Sequence, residues 1–101
     1  MTPFRKKVFQ ALKKIPRGRV TTYGAIATEI GCPSARAVGA ALRHNPDAPA
    51  IPCHRVVATD GALTGYIGLG RNLDKKRTLL EKEGITFTPE GKVHRKHFCN
   101  H

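Results

Sequence analysis

The sequence predicts an α-rich α+β fold, a winged-helix-like helix-turn-helix domain with short β-hairpins, formed as one domain over residues 1–101. Three observations predict it. Two short stretches with apolar faces, within "TTYGAIATEIGCPSARAVGAALRHN", are joined by a glycine-containing turn of about four residues. Turn signals at Asp60-Gly61 and Pro89-Glu90-Gly91 interrupt runs of strand length. Finally, 101 residues with 40% apolar content support one modest core and not two.

The elements follow in order. Thr2 is placed to cap a first helix with Pro3 at its first position, and Phe4, Val8, Leu12 and Ile15 recur at helical spacing. Arg5, Lys6, Lys7, Lys13 and Lys14 lie off that stripe, and Pro16 stops the helix. "RGRV" turns into a short extended piece. Thr22 is the expected N-cap of a second helix whose apolar face is Ile26, Ala27 and Ile30; Gly31 suits its C′ position and Pro33 prevents continuation. Ser34 then caps a third helix from Ala35 to about His44. Pro46, Pro49 and Pro52 make "HNPDAPAIPCH" a rigid irregular loop. "RVVATDGALTGY" reads as a hairpin turning at Asp60-Gly61. Asn72 caps a last helix through Glu83, with Leu73, Leu79 and Leu80 inward and Gly84 as its stop, and "ITFTPEGKVHRKHF" closes the chain as a small hairpin.

Charge narrows the function. Eighteen Lys and Arg against seven Asp and Glu give a net charge of +11, and no acidic residue precedes Glu29. Such an excess favours a polyanionic partner, with nucleic acid the leading candidate; the plainer alternative is a solubility surface without a specific partner. No apolar run reaches the length of a membrane span, and "MTPFRKKVFQ" has no signal-peptide core, so the expectation is an intracellular protein, cytoplasmic (nucleoid-associated) or nuclear, with no membrane partner. The third helix is unusual. Ala35, Ala37, Gly39, Ala40 and Ala41 are small, and Arg36 and Arg43 are its long basic side chains. Either this face packs tightly on a neighbour, as Val38 and Leu42 suggest, or it brings the backbone close to a minor groove only about 6 Å wide, with Arg36 projecting.

Three cysteines, Cys32, Cys53 and Cys99, are odd in number, irregularly spaced and without a CxxC pair, so neither a disulfide framework nor a zinc ribbon is expected. Cys53, in "IPCHRVV", is open to three uses: buried filler, metal ligand or nucleophile. Adjacent Cys53 and His54 suit one tetrahedral ion poorly. A nucleophile needs the thiolate, which a cation or a base promotes; His54 and Arg55 stand beside it in sequence, and Glu83 is able to orient a histidine. The tail "HRKHFCNH" gathers His94, His97, Cys99 and His101, and is read as a basic strand rather than a metal site. No metal and no cofactor are expected.

"PCHRVV", with Asn45 in "RHNP", "SARAVGAAL", "TTYGAIA" and "LLEKEG", closely resembles the DNA-binding domain of the O6-alkylguanine-DNA alkyltransferases, the methylated-DNA–protein-cysteine methyltransferases, over about residues 4 to 87. The resemblance implies that Cys53 accepts the alkyl group from O6 of guanine in one irreversible step. His54, acting through a water and oriented by Glu83, would take the thiol proton, and Tyr23 would serve guanine N3. It also implies a DNA-binding surface from Thr22, Ser34, Ala35, Arg36, Ala37, Gly39, Ala40 and Arg43, with Arg36 entering the base stack as the damaged nucleotide rotates out. The substrate pocket would draw on Asn45, Val56, Tyr66, Ile67 and Gly68, with the carbonyls of Cys53 and Val56 reading the guanine amine. Ile67 stands where many members have serine, on the pocket wall. The implied partner is double-stranded DNA containing O6-alkylguanine, bound by a monomer that begins almost at this domain, without the N-terminal domain many members carry. Two other readings stay open: a non-enzymatic lesion-binding protein of the alkyltransferase-like kind, which lacks the acceptor cysteine, and a helix-turn-helix regulator. The latter needs polar base-reading side chains, and "ARAVGAAL" offers few.

Overall fold

A computed structural model describes residues 3–42, 52–63 and 73–99. Among them are four α-helices, α1 (Pro3–Lys13), α2 (Tyr23–Glu29), α3 (Ala35–Leu42) and α4 (Leu73–Lys82), and two two-residue strands, β1 (Thr21–Thr22) and β2 (Val56–Val57). Single 3-10 turns occur at Cys53–Arg55 and Arg95–His97. The fold is the expected α-rich helix-turn-helix, and no helix among the described residues is long and apolar enough to cross a membrane.

The helix-turn-helix is built by its caps. Ala25 N–H donates to Thr22 Oγ1 at 3.0 Å, and Ala37 N–H donates to Ser34 Oγ at 3.2 Å, so both predicted N-caps supply an acceptor to a donor the helix leaves unpaired. Gly31 stands at φ +72°, the left-handed conformation that ends α2 and turns the chain toward α3. α1 ends at Lys13, earlier than Pro16 requires, and its last turn tightens through Lys14 N–H to the Ala11 carbonyl and Ile15 N–H to that of Leu12. Its buried face is wider than the predicted stripe, because Phe9 and Ala11 join Val8 and Leu12.

β1 and β2 pair in parallel, Thr21 with Val56 and Thr22 with Val57, and they separate two apolar clusters. Successive residues of a strand face opposite sides. Val56 accordingly joins the cluster of α1, α2 and α3, which also holds Cys53, while Val57 joins Val20, Leu80, Ile85 and Val93 under α4 and the C-terminal hairpin. The C-terminal segment zips onto the other side of β1: Val20 N–H donates to the His97 carbonyl and Cys99 N–H to that of Val20, both at 2.8 Å.

One expectation needs correction. The turn at Asp60-Gly61 forms, with Gly61 N–H donating to the Ala58 carbonyl at 2.8 Å, but the strand before it is not simply half of a hairpin. Val56–Val57 is drawn to β1, where both valines reach a core, and Ala62 pairs with Lys92 of the C-terminal hairpin. That second hairpin is where it was expected: Phe87 pairs with Val93, and Gly91 turns the chain at φ +82°. Gly61 carries both demands that only glycine meets. Its φ is +90°, and a Cβ there would sit 2.7 Å from the Val93 carbonyl oxygen. Gly61→Ala is expected to destabilise the protein by about 2 kcal/mol or more, from left-handed strain and the displaced hairpin, read as a lower urea midpoint.

Candidate active site

The site begins with the 3-10 turn that Pro52 introduces. Cys53 is 0% exposed and His54 2% exposed, so this turn is held inside the protein. Burial alone fits an inert core cysteine as well as a nucleophile. What surrounds His54 is more telling. Its Nε2 lies 2.9 Å from Glu83 Oε2, across 29 residues of chain. Arg55 locks the same carboxylate: Nε donates to Oε1 and Nη2 to Oε2, both at 2.8 Å, while Nη1 donates to the Ile15 carbonyl beyond α1, also at 2.8 Å. Glu83 is thus fixed at the end of α4 by a two-pronged guanidinium, and its remaining acceptor capacity is aimed at one imidazole nitrogen. Gly84, at φ +87°, terminates the helix there.

Protonation follows from these contacts. Burial pushes the Glu83 carboxyl up, but hydrogen bonds from Arg55 and His54 outweigh it and hold the group below its ordinary value. Burial dominates at His54 and lowers its pKa; Glu83 opposes this, while the charges of Arg55 and Lys76 add to it. At neutral pH the pair is therefore carboxylate and neutral imidazole. With Nε2–H directed at Glu83, Nδ1 carries the lone pair, and it is buried with no protein hydrogen-bond partner among the described residues. A neutral, oriented histidine next in sequence to a cysteine is the chemistry of a general base serving a thiol.

Other expected site residues lie on or at the ends of β1, β2, α2 and α3. Val56 is buried, and its N–H donates to the Cys53 carbonyl, which keeps a second lone pair for another donor. The parallel pairing of β1 with β2 sets the N-terminus of α2, and so Tyr23, beside the strand that leaves the Cys53 turn. Tyr23 packs on the α1–α2–α3 cluster, and a Cβ on Gly39 would lie 3.9 Å from its ring, so Gly39 faces Tyr23 from α3. Thr22 and Ser34 spend their hydroxyl acceptors on capping. On α3, Val38, Ala41 and Leu42 are buried, whereas Ala35, Arg36 and Ala40 are exposed, with Ala37 and Gly39 half-buried between them. One side of this helix packs, as the first reading expected, and the other leaves Ala35, Arg36 and Ala40 exposed. Arg43, Asn45, Tyr66, Ile67 and Gly68 lie outside the described residues.

Sequence reasoning missed two things. Arg55 was read as a neighbour of the thiol, yet its guanidinium is spent on Glu83 and Ile15. Lys76, given no part by the sequence, is fully buried on α4. The available signal was positional, since Lys76 precedes Glu83 by two helical turns and shares its side. In the tail, His94 Nδ1 and His97 Nε2 lie 2.8 and 2.9 Å from Thr86 Oγ1, and Thr86 N–H donates to His97 Nε2.

Comparison with known proteins places this geometry. The model of the 6-O-methylguanine DNA methyltransferase DNA-binding domain matches residues 3–85, a span that includes Cys53, His54 and Glu83. A methylated-DNA–protein-cysteine methyltransferase from Mycolicibacterium paratuberculosis is 52% identical over 81 residues, 79% of this chain and 47% of that protein. One from Methanosarcina acetivorans is 52% identical over 82% of this chain and 52% of its own length. The chain thus spans about half the length of these curated relatives. Among solved structures, Mycobacterium tuberculosis OGT in complex with DNA superposes with a TM-score of 0.75 at 50% identity, covering 82% of this chain and 50% of that one. Atl1 of S. pombe, in complex with damaged DNA containing O6-carboxymethylguanine, superposes with a TM-score of 0.82 at 31% identity, covering 100% of this chain and 98% of its own.

Proposed function

The chain belongs to the 6-O-methylguanine DNA methyltransferase family, and from that premise we propose that it repairs duplex DNA by moving the alkyl group of O6-alkylguanine onto Cys53, once per molecule. The observation that carries the reading is the set of buried Cys53 and His54 with half-buried Glu83, in which a carboxylate 2.9 Å from Nε2 orients a neutral imidazole next in sequence to the cysteine. His54 Nδ1 takes the thiol proton, directly or through water. The sulfur attacks the alkyl carbon, an S–C bond forms, and the C–O6 bond breaks with its electron pair going to the guanine. Tyr23, beside the turn, supplies a proton or hydrogen bond to the departing base. The thioether has no route back to the thiol, so each molecule acts once.

A carbon on O6 is not reachable inside a stacked duplex, so the nucleotide must be rotated out at a cost of a few kcal/mol. The exposed face of α3 suits that work: Ala35, Ala40 and the half-buried Ala37 and Gly39 let the backbone approach a groove, and Arg36 fills the space the base leaves. The net charge of +11 supports sequence-independent phosphate contacts.

A second reading is a lesion-binding protein without transfer. It is favoured by the full-length match to Atl1, a chain of the same extent. The two separate cleanly. Mixed with an oligonucleotide carrying O6-methylguanine, the protein is expected to gain the mass of one methyl group, mapped to Cys53 and absent in Cys53→Ala. Tight binding of the lesion with no gain in mass establishes the second reading instead.

A further inference from the structure

The cations of this chain divide by what they meet. Arg17 donates to the Lys82 carbonyl, Arg19 to that of Lys96, and Arg55 to Glu83 and the Ile15 carbonyl. Arg77 lies beside Glu81 and over the Phe87 ring, and Lys92 pairs with Asp60. Lys6, Lys7, Lys13 and Lys14 are different. All four are exposed, and among the described residues none enters an ion pair or donates to a protein acceptor. Lys6 and Lys13, like Lys7 and Lys14, stand seven residues apart, so they share one side of α1 and the turn after it, about 10 Å apart along the axis. The opposite side of the helix, with Val8, Phe9, Ala11 and Leu12, is buried in the cluster shared with α2 and α3. The lysines therefore point away from α3, whose exposed Ala35, Arg36 and Ala40 look out from another side of the same cluster. No acidic residue precedes Glu29 in the chain. Glu29 itself borders a groove with Lys7, Gln10 and Lys14 but pairs with neither lysine.

A face of one sign repels itself and attracts a polyanion. Its composition selects which one. The centres of protein interfaces are poor in lysine and rich in aromatic anchors, whereas the exposed residues of this face besides lysine are Pro3 and Gln10. Lysine is a point charge on a flexible stem, suited to phosphate oxygens met without regard to sequence. We propose that the lysine face of α1 holds the phosphate backbone of a second DNA duplex, so that one protein bridges two lengths of DNA, one on α3 and one on α1. The inference rests on α3 being the lesion-binding side in the proposed function. Because the two faces look outward from different sides of one cluster, a single straight duplex does not lie along both. Holding one segment raises the effective concentration of the other at the second face, and lets the protein pass between segments without a free interval.

Sedimentation of the protein with two duplexes of different length, one of them carrying O6-methylguanine, tests this. At low salt the wild type is expected to form a complex of one protein with both duplexes. The triple variant Lys6→Gln, Lys7→Gln, Lys13→Gln is expected to capture the second duplex about tenfold or more weakly. Its log–log salt dependence is expected to fall by about 0.9 for each of these lysines that meets a phosphate. Methyl transfer from a short lesion duplex at saturating protein is expected to be unchanged in that variant. Lys82→Gln, Arg95→Gln, Lys96→Gln removes the same charge from exposed positions elsewhere, and is expected to leave capture as it was. Equal weakening by the two triple variants means that net charge alone acts, and overturns the proposal. So does the absence of any complex of one protein with two duplexes, and so does a face that takes poly-glutamate but no second duplex, which assigns it to an acidic protein. A wild type that bridges two duplexes yet gains no methyl group refutes the repair reading and leaves the α1 face standing; one that is methylated and never bridges does the reverse.

Discussion

Glu83→Ala is expected to cost about 3–5 kcal/mol of folding stability, because it leaves the Arg55 guanidinium buried without its carboxylate. Arg55 is 15% exposed and Glu83 9%, so water does little to replace the lost partner. The same change releases His54, and methyl transfer to Cys53 is expected to slow by about a hundredfold or more. Glu83→Gln is expected to incur part of both losses. Three N–H groups, from His54 and Arg55, converge on the two carboxylate oxygens; a carboxamide accepts on one side only and turns donors against donors on the other. The pH dependence has a definite sign. His54 is held below 6.5 chiefly by burial, so as pH falls through that value the unfolded chain binds a proton the folded one refuses, and stability declines; His97, also lowered by burial, adds to it. Glu83 is held below 4.5, so a second decline follows as pH falls through that value. Urea titrations across this range are expected to show both steps in the wild type and a smaller lower step in Glu83→Gln, because Asp60 and Glu90 are also held low and keep part of it. A lower step of unchanged size would show that Glu83 contributes nothing to it.

How much of this was legible beforehand depends on whether the information is local. Thr22, Ser34, Gly31 and Gly84 were readable because a cap or a left-handed stop is decided by the residue and its immediate neighbours. Glu83 was named from its chemistry as able to orient a histidine, and the resemblance tied it to His54; spacing alone offers no reason why residues 29 positions apart should meet. Arg55 and Lys76 show the limit more sharply. Neither the partners of the first nor the burial of the second is set by its position in the chain. Sequence adjacency placed Arg55 at the sulfur, but Ile15 and Glu83 offer it three acceptor positions in the other direction. A lysine on a helix reads as solvated, and the full burial of Lys76 is decided by what packs over α4. The strand pairing was missed for a similar reason. The turn at Gly61 is local, whereas the choice of β1 as partner for Val56–Val57 is decided by two cores meeting at one sheet.

Arg36→Ala is expected to weaken repair of O6-alkylguanine in duplex DNA by about a hundredfold, the equivalent of the few kcal/mol that unstacking a base requires. Reaction with free O6-benzylguanine, where no base must be displaced, is expected to be unchanged. The prediction follows from where Arg36 stands. It lies on the exposed side of α3, flanked by Ala35, Ala37 and Ala40, so no neighbouring side chain is long enough to take over its reach. It is absent from both apolar clusters, so its truncation is expected to leave the melting temperature within the small range of an exposed substitution. On the proposed function the position separates recognition from chemistry. Glu83, which holds His54, is expected on truncation to slow the free base and the duplex alike. Arg36, placed in that proposal at the extruded nucleotide's site in the stack, is expected to slow the duplex only. Equal losses on both substrates would assign Arg36 to the pocket rather than to the extruded nucleotide's place in the stack. Duplexes with a mismatch opposite the lesion refine the test, since a base already poorly paired needs less help to leave, and the Arg36→Ala defect is expected to shrink as pairing weakens.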